Sequence, residues 1–313
     1  MDEFNTLVII GCSMGRTDNK EAGLQSPERI SEKASRFLHG VPGLGGHGFI
    51  MQASSGTFRQ LYADQPALII VRRGTKRISS VLGDYEAHAG RAVVLPAGRA
   101  WTVVNETAGP EGYQADAFAF APQLVQDYAD RRATPLKDAA TFTPDWAMEE
   151  ALRRLCRTLA DPGATSPLLR HLFGEIVIRL EAHGFNLTPG NPTSLQDRVR
   201  ALVGNDVSGD WSASRMTAAL GMSEASLRRK LAASGSSLSE IITDVRMTRA
   251  LALLQTTELP INQVALDVGY GSASKFAARF RQRFGLSPRE IRVREDDSDR
   301  GGAEVDRLGA AAE

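Results

Sequence analysis

Cysteine is almost missing from this chain, with only Cys12 and Cys156 in 313 residues. Two distant thiols give neither a disulfide framework nor the clustered spacing of a zinc site, so no metal or other cofactor is expected. No apolar run approaches the 18 or so residues of a membrane-spanning helix. The start carries Asp2 and Glu3 where an export signal would be basic, and only a short apolar stretch follows. These absences predict a cytoplasmic chain with no membrane partner. Net charge is missing too: 37 basic residues balance 37 acidic ones. Such neutrality argues against a polyanionic partner until the charge is divided by segment. Residues 194–294 hold an excess of six positive charges, 295–313 an excess of five negative ones, and the rest is nearly neutral. The basic surplus is confined to one stretch.

In that stretch the apolar spacing is helical. Met216, Ala219 and Leu220 share a face, Gly221 interrupts it, and Ser223 stands where a cap opens a new helix at Glu224. The pattern then repeats. Pro260 suits a helix start, Ile261, Val264, Ala265 and Val268 make one apolar face, and Gly269 ends it. Ser272 or Ser274 opens a further helix whose Phe276, Phe280 and Phe284 recur every four residues and belong to a core. Each half is a helix-turn-helix, the unit that places a helix in a DNA groove. Between them, residues 238–257 contain no Gly or Pro and are apolar on several sides, which predicts a long helix buried between two bodies. At ~1.5 Å per residue it spans roughly 30 Å, close to the ~34 Å turn of B-DNA. One chain can therefore place two reading helices in successive major grooves.

Residues 195–292 resemble the DNA-binding domain of the AraC/XylS family of bacterial transcription regulators. Arg246, Ala250, Leu253 and Leu254 carry the likeness in the long helix, and Gly269, Tyr270, Ser274, Phe276, Phe280, Phe284, Gly285, Pro288 and Arg292 carry it beyond. The resemblance implies a regulator, an activator that contacts RNA polymerase, with an N-terminal domain that senses a small molecule or a protein and pairs protomers into a homodimer.

The residues facing the groove follow from the helical frame. In the first reading helix they are Glu224, Ala225, Arg228 and Arg229, with Ser223 as cap and phosphate contact. Arg228 and Arg229 are the candidates for base contacts, because a guanidinium can grip guanine O6 and N7 together. In the second they are Ser272, Ala273, Ser274, Lys275, Ala278 and Arg279, with Arg281 near the backbone. Relatives often carry long polar groups where this chain has Ala273 and Ala278. Alanine can press on a thymine methyl but makes no hydrogen bond, so the second helix is expected to contribute mainly phosphate contacts and shape recognition.

Residues 48–120 change to short β-rich runs separated by turns, an antiparallel sandwich or small barrel. Gly90, Pro96, Gly98, Trp101 and Asn105 resemble the second motif of cupin barrels, but Trp101 stands where that motif has a metal-binding His. Lys76 and Arg77 stand where the preceding motif has its histidines. Metal binding is therefore not expected. Met51, Ile69, Val71, Trp101 and Phe118 are candidates to line an apolar ligand cavity. Residues 144–183 read as a helical hairpin, with Trp146, Leu152, Leu155 and Leu159 on one stripe and Leu168, Leu169, Leu172, Phe173, Ile176, Val177 and Leu180 on another.

The fold class is thus α+β: a cupin-like β-barrel with a helical hairpin, then an all-α domain of two helix-turn-helix subdomains joined by a long helix. The expected boundaries are an arm at 1–45, in which 26–39 is a helix and 41–48 a Gly-rich turn; the sensor at 46–183; a linker at 184–193; the DNA-binding domain at 194–294; and a disordered acidic tail at 295–313. The alternative is a metal-free barrel enzyme fused to a DNA-binding domain. It is disfavoured because His47 and His88 have no acidic or cysteine partner at a telling spacing.

Overall fold

A computed structural model describes residues 35–130, 132–188 and 194–292. The acidic tail, most of the N-terminal arm and the centre of the linker lie outside them.

Ten strands come first: β1 (Phe37–Val41), β2 (Gly45–Gln52), β3 (Gly56–Ala63), β4 (Ala67–Arg73), β5 (Thr75–Ser79), β6 (Asp84–His88), β7 (Ala92–Leu95), β8 (Arg99–Glu106), β9 (Tyr113–Phe120) and, after helix α1 (Pro122–Tyr128), β10 (Ala140–Phe142). They do not close into a barrel. They form a six-stranded sheet in the order β1-β2-β9-β4-β7-β10 and a separate four-stranded sheet in the order β3-β8-β5-β6. Strand parity then sorts the side chains. On β9, Ala115, Ala117 and Ala119 face the space between the sheets, while Phe118 and Phe120 join the cluster under the helices.

Two expectations for the N-terminal edge are corrected. The C-terminal part of the expected 26–39 helix is strand β1, paired with β2 from Phe37↔Phe49 to Val41↔Gly45. The glycines of the expected 41–48 loop lie mostly in β2, with only Pro42, Gly43 and Leu44 left for the turn. Gly45 has φ +143°, and a Cβ there would lie 2.2 Å from the Ala119 carbonyl oxygen. Glycine serves here as a place for backbones to approach, not as a chain reversal.

Helices α2 (Trp146–Leu159) and α3 (Ser166–Ala182) form the expected hairpin against the outer face of the larger sheet. Trp146 leaves its assigned stripe and is 77% exposed. Six residues at ~100° each separate it from Leu152 by about 240°, so it faces away from the buried residues. Leu168 is exposed for a similar reason: it lies about a quarter turn from Leu169 and Phe173, which are buried. The chain past Gly184 stays attached to the sheet domain, for Asn186 and Leu187 are both buried.

The C-terminal helices are α4 (Leu195–Asn205), α5 (Ala213–Leu220), α6 (Glu224–Ala233), α7 (Leu238–Thr256), α8 (Ile261–Asp267), α9 (Ala273–Phe284) and α10 (Pro288–Arg292). Local chemistry sets their limits. Ser212, Ser223, Ser237 and Ser272 each accept a backbone N–H at a helix start, and Ser237 with Glu240 completes a capping box. Gly221 and Gly285 end α5 and α9 in the left-handed conformation.

The long helix α7 is buried on every side from Met247 to Thr256. Its second body is the sheet domain: one apolar cluster runs from the space between the sheets through α7 to Phe276, Phe280 and Phe284. Phe58 of β3 meets Phe284 of α9 edge-on, with ring centroids 5.6 Å apart. Polar contacts cross the same seam, including Tyr62 to Asp197 at 2.5 Å, Ala53 N–H to the Ile291 carbonyl at 2.9 Å and Arg283 to the Gln60 carbonyl at 3.2 Å.

Candidate nucleic-acid interface and ligand cavity

Both reading helices, α6 and α9, turn their apolar residues inward. Leu227 and Leu231 anchor α6, and Phe276, Phe280 and Phe284 anchor α9. This leaves Ser223, Glu224, Ala225, Arg228 and Arg229 exposed on the first, and Ala273, Ser274, Lys275, Ala278, Arg279 and Arg281 exposed on the second. Ser272 is half-buried as the cap of α9, its Oγ accepting from the Lys275 N–H at 3.4 Å. Arg228, Arg229 and Lys275 enter no salt bridge among the described residues. Arg279 is partly engaged, donating to Gln282 Oε1 at 2.8 Å. The N–H groups at both helix starts add a local preference for anions.

Arg246, midway along α7, sets how the two units sit on the long helix. It donates through Nε to the Val207 carbonyl at 3.0 Å, through Nη2 to Gly209 at 2.8 Å and through Nη1 to Gly269 at 3.4 Å. The first two carbonyls precede α5, and the third belongs to the turn between α8 and α9. One guanidinium thereby ties both helix-turn-helix units to the same point. Arg292 does similar work at the far end, donating to the carbonyls of Leu254, Thr257 and Leu259 where α7 ends.

A cavity of about 50 Å³ lies between the two sheets and is closed by α7. Of the five expected lining residues, Ile69 and Trp101 are on its wall. Met51 and Phe118 are not, because their strand parity turns them to the opposite face of the larger sheet, where Phe118 stacks on His47 at 4.3 Å. Val71 is buried in the inter-sheet core without reaching the wall. Missing from the sequence reading were Lys76, Asn105 and the α7 residues Thr248, Leu251, Ala252 and Gln255. Parity held the signal for Lys76: it shares a strand face with Ile78, which is fully buried.

The polar side of the cavity is a chain across the domain seam. Lys76 Nζ donates to Asn105 Oδ1 at 2.6 Å, Asn105 Nδ2 donates to Gln52 Oε1 at 2.9 Å, and Gln255 Nε2 donates to the same Gln52 oxygen at 2.7 Å. Burial pulls the Lys76 ammonium down to about 7, since leaving water disfavours its charged form.

A second constellation escaped the sequence reading and corrects it. His47 does have acidic and cysteine partners: Nε2 meets Asp116 Oδ1 at 2.7 Å, and Nδ1 lies 3.5 Å from Cys156 Sγ. The residues are 69 and 109 positions from His47, so no spacing could reveal them. The set is poorly suited to nucleophilic catalysis. Burial, and then the charge of Asp116, push the Cys156 thiol up to about 12. Burial would also raise Asp116, but the hydrogen bond and charge of His47, with those of Arg72, hold it below the usual carboxylate range. His88 is exposed and meets Glu86 at 3.0 Å. Among the described residues no group of three or more His, Cys, Asp or Glu could hold a metal ion, and no helix is long and apolar enough to cross a membrane.

Comparison with known proteins agrees with this geometry. Residues 48–183 match the family described as AraC-type transcriptional regulator N-terminus, and residues 216–294 match a helix-turn-helix domain. The HTH-type transcriptional regulator GadX of Escherichia coli is 35% identical over 101 residues, 32% of this chain and 37% of GadX. The transcriptional regulator SirC of Salmonella typhimurium is 38% identical over 93 residues, 30% of this chain and 32% of SirC. These alignments thus span about a third of each curated relative. The fold extends further: apo ToxT of Vibrio cholerae superposes with a TM-score of 0.59 at 16% identity, covering 80% of this chain and 97% of ToxT. Unsaturated fatty acid bound ToxT gives 0.53 at 14% identity, covering 83% and 95%. With its sheet domain and its helix-turn-helix domain each matched in the order they occur, the chain belongs to the AraC-type family of transcriptional regulators.

Proposed function

We propose that this chain is a sequence-specific transcription activator that binds promoter DNA through α6 and α9 in successive major grooves. The supporting observation is the pair of serine-capped helices with exposed basic and small residues, tied to one buried strut by Arg246. Arg228 and Arg229 read bases. Ser223 and Lys275 hold phosphates, with Glu224, Ala225, Ser272, Ala273, Ser274, Ala278, Arg279 and Arg281 completing the two faces. The chain acts in the cytoplasm, without catalysis, as a homodimer that engages RNA polymerase. Exposed Trp146, Leu168 and Ile178 on the helical hairpin favour the pairing of protomers there.

The sheet domain, in this reading, is the regulatory part, and the cavity closed by α7 is its effector site. A molecule in that cavity touches the regulatory sheets and the DNA-binding strut together, so its binding free energy acts directly on the seam. The test is selection of bound duplexes from a random pool by the full chain. Recovery of a site spanning more than one helical turn supports the reading, and no enrichment of any sequence refutes it.

A further inference from the structure

The cavity wall presents hydrogen-bond donors without matching acceptors. Lys76 is 3% exposed, and its Nζ makes one hydrogen bond, to Asn105. Its other near neighbour is the Tyr113 ring, 5.3 Å from Nζ to the centroid, and no carboxylate pairs with it among the described residues. Trp101, on the same wall, buries its Nε1 without any partner. An ammonium carries three donors and an indole one, and neither can accept, so the missing partner is an acceptor. A negative charge on that acceptor would also offset the cost of burying the ammonium.

The remaining wall is apolar, formed by Ile50, Phe58, Ile69, Leu95 and Val103 among others, and it favours a ligand with a hydrocarbon part. Size is the third constraint. A water-sized group needs ~10–15 Å³ and a benzene-binding cavity measures about 150 Å³, whereas this one is about 50 Å³. Room exists for a carboxylate and a few carbons, not for a long acyl chain.

We propose that the cavity is a site for a short-chain monocarboxylate, its carboxylate accepting from Lys76 Nζ with Trp101 Nε1 as second donor and its alkyl stub against the apolar wall. The inference rests on the effector reading only for its regulatory consequence. Because Thr248, Leu251, Ala252 and Gln255 of α7 share the wall, the bound acid bridges the sheets and the strut.

The experiment is thermal unfolding and calorimetric titration of the full chain at constant ionic strength, pH 6.5, with propionate, butyrate, octanoate, a long-chain unsaturated acid, butyramide and sodium chloride. Propionate and butyrate at millimolar levels are expected to raise Tm by a few degrees, and butyramide and chloride to leave it unchanged. Lys76→Met, which keeps the stem and removes the charge, is expected to weaken butyrate ~10- to 100-fold, the usual effect of losing a charged hydrogen bond. Equal stabilisation by butyramide or chloride, tighter binding of the longer acids, or butyrate affinity unchanged in Lys76→Met would each overturn the proposal. Should that variant not fold, the ligand series on the natural chain decides alone. DNA selection run in parallel separates the two readings. Duplex enrichment without any carboxylate effect removes only the ligand proposal, and carboxylate stabilisation without enrichment removes only the regulator reading.

Discussion

The guanidinium of Arg246 occupies the space a side chain on Gly269 would need: a Cβ built there lies 2.8 Å from Nη2 and 3.0 Å from the Ser208 carbonyl oxygen. Gly269 also has φ +79°, which β-carbon residues rarely adopt. Gly269→Ala should therefore cost on the order of 1–3 kcal/mol from strain and close contact together. It should also shift the second helix-turn-helix relative to the first. The expected outcome is a lowered Tm and weaker binding to a two-turn duplex, with binding to the first half-site less affected.

Reading and positioning separate by substitution. Arg228→Ala should lower affinity for the preferred sequence by ~1–3 kcal/mol and relax preference at one base pair, while Lys275→Ala should weaken all duplexes alike and reduce the salt slope by about one. Binding isotherms on matched and mismatched duplexes at several salt concentrations measure both. The reverse ordering would move sequence recognition to α9.

At the domain seam, Phe58 is fully buried, lines the cavity and stacks on Phe284. Phe58→Ala should cost ~3–5 kcal/mol, as aromatic truncations in cores do. Differential scanning calorimetry should show the single transition of a shared core splitting or broadening, because one apolar cluster spans both domains.

Lys76 makes stability depend on pH in a definite direction. Its folded value, about 7, lies below the ordinary 10.5, so between those values the unfolded chain binds the extra proton. Stability then rises with pH across that window, by up to about 1.4 kcal/mol per unit from this group. Below pH 7 the ammonium is charged in both states and the burial penalty is complete. Comparing urea midpoints from pH 6 to 9.5 with those of Lys76→Met isolates the effect. Carboxylate affinity should fall over the same rise in pH, since the neutral amine offers no charge.

Cys156, with its thiol near 12, should alkylate slowly in the native state. Mass spectrometry of the Cys156 peptide after iodoacetamide treatment at pH 8 should show rapid modification only once the chain is unfolded. Fast native labelling would reopen a nucleophilic role.

The helix-turn-helix half of the molecule was already legible in the amino-acid order. Serine caps, glycine stops and the four-residue phenylalanine repeat act within a few residues of themselves, so the sequence alone determined where α5 to α9 begin, end and turn their apolar faces. Tertiary structure decided the rest. Gly45 became a strand residue because the Ala119 backbone comes close, and Trp146 became exposed because its own helix faces elsewhere. Lys76, Asn105, Gln52 and Gln255 came together from four separate elements, as did His47, Asp116 and Cys156 from three. A cavity is made by what faces it, and which face a strand residue takes is fixed only when sheets pair and pack. No spacing along the chain can carry that information.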